Sequence, residues 1–267
     1  MATLVASSTS SGSPSTAAAT STPTTGSGAT ASNQSSPSSN SPKSPIPPTP
    51  PPNTRMESVT SEEEVIEFLR EHFTTKEPIL SNLHISKIDE LTVLLTDVVR
   101  DCMSCPASRV IRDSQSNELL GVCLSSRASL FEKQMDRLFC YEFTDPQLRI
   151  AIDFLKSVFN RADVAYHLEE NHVTKPVFVA IVSVHPDHWN KGIASALLEN
   201  CLLAAREDRC DGALALCSSS RASRLMLKKF KNVVCRTRYC DYRGEYRNPP
   251  ISPPEPDSAI HVLLTKL

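Results

Sequence analysis

The residues best placed to do chemistry lie in His188-Trp-Asn-Lys-Gly192-Ile-Ala194, a short loop between an apolar run and an amphipathic stretch. Before it, Val177-Phe-Val-Ala-Ile-Val-Ser-Val184 reads as a central strand buried on both faces. The strand breaks at His185-Pro186-Asp187. From Gly192 onward Ile193, Ala194, Ala196, Leu197, Leu198, Cys201, Leu202 and Ala205 mark a helix. The first N–H groups of such a helix have no partner inside it, so they point outward and can meet a phosphate or diphosphate. As spacing alone, the same pattern also serves ordinary strand–helix packing.

Other reactive side chains are less ordered in their placing. Nine cysteines are scattered at 102, 105, 123, 140, 201, 210, 217, 235 and 240. Several sit in apolar runs, where free cysteine behaves as a small hydrophobe. The odd count suits a reducing compartment better than a disulfide scaffold. Cys102-Met-Ser-Cys105 is the one close pair. A zinc site needs four ligands, and no second close pair or HxxxH accompanies it, so no metal is expected. Cys217, at a strand end, reads as core rather than nucleophile, and His185 and His188 read as loop residues rather than bases.

The elements that must position the loop follow from periodicity. Thr60-Ser61-Glu62-Glu63-Glu64 is a capping box for a helix running to about His72, and a second helix is predicted from Ser81 to Asp101. Strands are predicted at Ser108–Arg112 and Leu119–Ser125, and helices at Ala128–Asp136 and Asp145–Phe159. After the loop helix come a strand at Ala213–Cys217, a helix through Ser218–Phe230, and strands at Val233–Arg243 and Ile260–Leu267. Helices alternating with buried strands predict a three-layer α/β/α domain with a mixed central sheet.

Composition bounds the domain. Residues 1–55 are almost wholly Ser, Thr, Ala, Pro, Gly and Asn, with Lys43 and Arg55 the only charges, and they hold 10 of the 20 prolines. Such a stretch buries too little apolar surface to offset its ordering entropy, so a disordered tail is expected, followed by one domain over residues 56–267. Ser13, Thr22, Ser36, Ser41, Ser44 and Thr49 each precede proline. These pairs either mark phosphorylation and partner binding or reflect tail composition. The tail carries +2 of the total −2, leaving −2 − (+2) = −4 for the domain, which argues against a nucleic-acid binder. No run reaches the roughly 18 apolar residues of a membrane span, and the start has no basic region ahead of an apolar one. A cytoplasmic monomer acting on small molecules is expected.

The stretch Val-Ser-Val-His-Pro-Asp-His-Trp-Asn-Lys-Gly-Ile-Ala-Ser-Ala-Leu-Leu (182–198) resembles the acetyl-CoA-binding pattern R/Q-x-x-G-x-G/A of the GNAT superfamily. The likeness extends to the invertebrate arylalkylamine N-acetyltransferases, the dopamine type. His72-Phe-Thr-Thr-Lys-Glu77-Pro-Ile-Leu80 is similar to that group's FF-x-x-x-EPL element. Phe159-Asn-Arg-Ala-Asp-Val164 is similar to the linker before the fourth strand. Leu216-Cys-Ser218-Ser219 through Ala222-Ser-Arg-Leu-Met226 resembles the fifth strand and next helix, and Tyr239-Cys-Asp-Tyr242 the Y-x-D-Y stretch.

The resemblance implies an enzyme that moves acetyl from acetyl-CoA to a small arylalkylamine by direct attack in a ternary complex. A polyamine acceptor, or a non-catalytic module, is the alternative. It implies that backbone around Val182, Ser183 and Val184 receives the pantetheine arm. Asn190, Lys191, Gly192, Ile193, Ala194 and Ser195 would cradle the diphosphate. Glu77 would be the general base, against a plain surface acid at a helix end. Ser218 would relay a proton or protonate the thiolate, against a helix cap. The family's second serine falls on Ala222, with Ser223 one residue along. Trp189 stands where the family has Arg or Gln, and reads as a core plug or a stacking wall. Met226 stands where many GNAT enzymes have a tyrosine, and Lys228-Lys-Phe230 lacks the usual glycine.

Overall fold

The computed structural model describes residues 49–127, 140–246, 248–252 and 258–267. Among these, seven strands form one mixed sheet in the order β1-β2-β3-β4-β5-β7-β6. The strands are β1 (Thr54–Ser58), β2 (Arg109–Asp113), β3 (Leu119–Arg127), β4 (Pro176–Val184), β5 (Gly212–Cys217), β6 (Asn232–Arg238) and β7 (Ala259–Lys266). Every neighbouring pair is antiparallel except β4 and β5.

Helices cover both faces, as the predicted three-layer α/β class requires. On one face α6 (Ile193–Glu207) and α7 (Ser220–Met226) pack through Ile193, Leu197, Leu198, Cys201 and Met226 onto Ile111, Cys123, Val179 and Ala213. Gly121 permits the close approach: a Cβ there would stand 3.0 Å from the Ser183 carbonyl oxygen and 3.1 Å from Leu197. On the other face lie α1 (Glu62–His72), α2 (Pro78–Leu83), α3 (Ile88–Met103), α4 (Pro146–Ala162) and α5 (Val164–Glu170). Val65, Leu69, Leu95 and Leu148 of this layer meet Val110, Val122, Leu124 and Ile181. Ile79, Phe154 and Val158 meet Phe178, Leu214 and Val262.

Several elements differ from the sequence expectation. The single helix predicted over Ser81–Asp101 is two, α2 and α3, because His84 turns left-handed (φ 50°) and the next residues are held from outside. The Asp145 carboxylate accepts from Ser86 N, Ser86 Oγ and Lys87 N, each at 2.8 Å, and from Gln147 N at 2.7 Å and Leu148 N at 3.3 Å. This buried acid therefore caps α4 and clamps the α2–α3 junction to it. Thr54 and Arg55, placed in the tail by composition, open the edge strand β1. Phe159–Val164, expected as a linker, is the end of α4 and the start of α5, turned at Asp163 (φ 40°). The strand expected to reach Arg243 stops at Arg238 and passes into a 3-10 turn at Tyr239–Asp241. The helix expected over Ala128–Asp136, the segment 1–48 and five of the six Ser/Thr-Pro sites lie outside the described residues.

β4 contains the irregularity that matters most. Its register to β3 shifts so that Leu124 pairs with Ile181 and Ser125 with Val179, leaving Ala180 as an extra residue. An inserted residue reverses the side-chain alternation beyond it. Val177 and Val179 face α6, Ile181 faces α3, and Val182 and Val184 face α6 again. At the same point β4 leaves β5: the parallel ladder runs only from Pro176–Gly212 to Val179–Ala215.

Candidate active site

The divergence of β4 and β5 opens a cleft of about 1080 Å³. Residues 182–184 of β4 form part of its wall, and beyond Val179 they have no β5 partner. Their amides on that side are free for a bound molecule. The loop after β4 forms the next part of the wall, through Asn190 and residues 192–195. Both Asn190 (φ 62°) and Gly192 (φ 82°) are left-handed, and a Cβ on Gly192 would meet nothing within 4 Å. Gly192 is the N-cap of α6 and supplies no side-chain cap, so the first amides of this 15-residue helix stay uncapped at the cleft. An uncapped helix start beside open space fits a diphosphate group, which would be held there by backbone N–H groups. Of the residues expected there, only Lys191 lies off the wall; it is exposed.

Glu77 and Ser218 line the same cleft. Glu77 is the N-cap of α2, its carboxylate accepting from Leu80 N at 2.8 Å, and α2 is anchored by Ile79 and Leu83 in the core. The glutamate is buried, at 8% exposure. Burial raises its pKa, against hydrogen bonds from Ser218, Leu80 and Ile79 that hold the charged form. Ser218 follows β5, and its side chain lies beside the Glu77 carboxylate, where it favours the charged form. The cap of α7 is Ser219, which accepts from Ala222 N at 3.0 Å, leaving Ser218 free of that duty. The fully buried Tyr239 fixes Ser218 from below: its hydroxyl donates to the Ser218 carbonyl at 2.6 Å. The tyrosine pKa is pushed up by burial and by the Glu77 charge.

Ser223 is not brought to the cleft. It is buried between α7 and β7, with Oγ 3.0 Å from His261 Nδ1. Cys217 is also off the wall, and burial pushes its thiol up to about 12, which keeps it protonated in the core. His188 and His72 are on the wall, whereas His185 turns back to accept from Asp187 N at 3.2 Å. Trp189 is both of the things its position allowed. It packs against the core on one side and donates from Nε1 to the Val184 carbonyl at 2.8 Å, while also lining the cleft.

Two features were not singled out in the sequence. Tyr239 lay in a quoted stretch without a role, and its contact with Ser218 comes from packing distant segments. Arg221 carried no local signal; its guanidinium lies 4.2 Å from the Trp189 ring centre, a meeting of two elements far apart in the chain.

Comparison with known proteins agrees with this architecture. The sequence model of the Acetyltransferase (GNAT) family matches residues 163–230, the span from the end of α4 to just past α7. The fold is similar to arylalkylamine N-acetyltransferase 2 from Aedes aegypti (TM-score 0.69, 20% identity, covering 80% of this chain and 99% of that one). It is also similar to a mosquito arylalkylamine N-acetyltransferase-like protein 5b (TM-score 0.64, 16% identity, 80% and 100%). A third similar structure is the Drosophila melanogaster polyamine N-acetyltransferase, which forms N-acetylagmatine (TM-score 0.64, 16% identity, 80% and 100%). At these identities the likeness is one of fold. A search of curated proteins found no significant match. The chain therefore carries a domain of the GNAT acetyltransferase fold, with residues 163–230 matching that family's sequence.

Proposed function

We propose that this protein is an acetyl-CoA-dependent N-acetyltransferase that acetylates the primary amine of a small arylalkylamine. The observation that carries the reading is the placing of Glu77. A buried carboxylate, beside the Ser218 side chain that favours its charged form, lines the same cleft as the splayed end of β4 and the uncapped start of α6. In this reading the β4 amides align the thioester, and the α6 start holds the diphosphate.

A cationic amine sheds two protons on acylation. Glu77, made more basic by burial, takes the first and passes it to solvent. The nitrogen then attacks the thioester carbonyl carbon, the C–N bond forming as the C–S bond breaks. The second proton leaves nitrogen and reaches the departing thiolate through the Ser218 hydroxyl. Leu91, Leu95, Ile152 and Leu155 give the cleft an apolar stretch suited to an aryl ring.

A second acceptor class, a dicationic amine such as agmatine, is favoured by Asp97 and Asp101 on the same wall. The test is a panel of arylalkylamines and polyamines with acetyl-CoA and the purified protein, reading free thiol. Acetylation of dopamine-type amines with higher kcat/KM than agmatine is expected. Preference for agmatine selects the second class, and no acetylation of any amine despite CoA binding overturns catalysis. Every residue given a role in this chemistry lies within residues 56–267.

A further inference from the structure

The loop between β4 and α6 places Trp189 where the resemblance calls for Arg or Gln, and its one lysine, Lys191, is exposed and off the cleft wall, so the loop itself turns no cationic side chain to the cleft at that position. The fold returns a charge from another element. Trp189 is pinned by its indole N–H on the Val184 carbonyl at 2.8 Å, and the Arg221 guanidinium lies over its ring at 4.2 Å. Arg221 lines the same cleft as Asn190 and Gly192 and has no carboxylate partner among the described residues. Arg224 and Lys228, further along the same face, also line the cleft, and both are exposed. Glu199, the α6 acid after Ser195, is already bound to Lys229 at 2.7 Å and to Ser195 Oγ at 3.1 Å.

We propose that Arg221, posed on the face of Trp189, supplies the cationic side-chain contact to the diphosphate of the acyl donor. The proposal rests on reading the cleft as an acyl-CoA site. A guanidinium held by its face keeps its in-plane N–H donors free, and those donors match phosphate oxygens two at a time. The indole supplies a platform that a loop arginine would not need. Trp189 is thus a positioning residue, and Arg224 and Lys228 add positive potential without a fixed contact.

The experiment compares CoA with pantetheine, which lacks the diphosphate, by calorimetry on the full chain. Trp189 is the chain's single tryptophan, so its emission gives a second readout wherever it is retained. Arg221→Ala should weaken CoA about tenfold or more, leave pantetheine unchanged, and flatten the salt dependence of CoA binding. Arg221→Lys should recover part of the loss. Trp189→Leu should weaken CoA as Arg221→Ala does, whereas Trp189→Phe, which keeps a ring, should retain most of the affinity. CoA binding by Arg221→Ala equal to that of the unmodified protein overturns the proposal, as does an equal loss for CoA and pantetheine. If the unmodified protein binds neither ligand, the acyl-CoA reading itself falls, and this assignment with it.

Discussion

Glu77 shows how much of a residue's chemistry is set by its surroundings. As a free side chain it would be an ordinary weak base. At the start of α2 it is buried, and its charged form is held only by Ser218 and two backbone amides. Glu77→Gln keeps the volume and an acceptor for Leu80 N while removing the carboxylate proposed as the base, so turnover at pH 7 should fall about 10²-fold or more. The sign for stability runs the other way. A carboxyl whose folded pKa is raised adds stability below the ordinary carboxylate range and loses it as pH rises through the folded value. The Gln variant, with no such loss, should melt at pH 7 no lower than the unmodified protein. A variant with full turnover at pH 7 would remove Glu77 from the chemistry. Gly192 works by the opposite means, through what it lacks. Its left-handed backbone and the open space beside it mean that Gly192→Val strains the loop by about 1–3 kcal/mol and fills the approach to the α6 amides. CoA should then no longer raise the melting temperature, although the apo domain still folds.

At the scale of elements, the site depends on three departures from regularity. The extra residue Ala180 in β4, the end of β4–β5 pairing at Val179, and the break between α2 and α3 each move a wall of the cleft. Asp145 controls the third. Burial by itself would raise its pKa, but hydrogen bonds from Lys87, Ser86 and Gln147 outweigh this and hold it well below the usual range. Asp145→Asn exchanges acceptors for a donor amide against N–H groups and should cost about 2–3 kcal/mol, read from denaturant midpoints. A depressed carboxyl contributes stability above its unfolded pKa and loses it as pH falls through its folded one, so the Asn variant should also lose less stability on acidification. Because α2 is seated through this junction, amine kcat/KM should fall more than CoA affinity. Unchanged midpoints would show that the clamp is dispensable.

The domain is closed at one edge by β1, whose first two residues, Thr54 and Arg55, composition had assigned to the tail. β1 pairs with β2 over five residues, and its Glu57 reaches Arg112 at 3.2 Å, beside the ion pair from Arg112 to Glu64 on α1. Arg112 is almost entirely buried, so its partners matter. A chain beginning at Val59 should melt several degrees below one beginning at Thr49, at about 2–4 °C per kcal/mol lost for a domain of this size. Equal melting temperatures would mean that β1 adds nothing to the fold. Turnover should follow stability rather than chemistry, since β1 contributes nothing to the cleft wall.

The sequence by itself determined the alternation of strands and helices, the buried run of β4, and the glycine loop that opens α6. Each is written in a local pattern: apolar continuity, helical period, or a residue type that a turn requires. Through the family resemblance it also pointed to Glu77 and Ser218. The tertiary structure alone decided what periodicity cannot carry. An extra residue in an all-apolar strand leaves no mark on its composition, yet Ala180 reverses which face Ile181 and Val182 present. The predicted helix over Ser81–Asp101 was split by a carboxylate nearly sixty residues away. Arg221 met Trp189 only because α7 folds against the loop after β4, and Tyr239 met Ser218 only because the turn after β6 reaches the end of β5. Such contacts depend on which distant segments the core brings together, and local pattern reports the burial of a face without naming its partner.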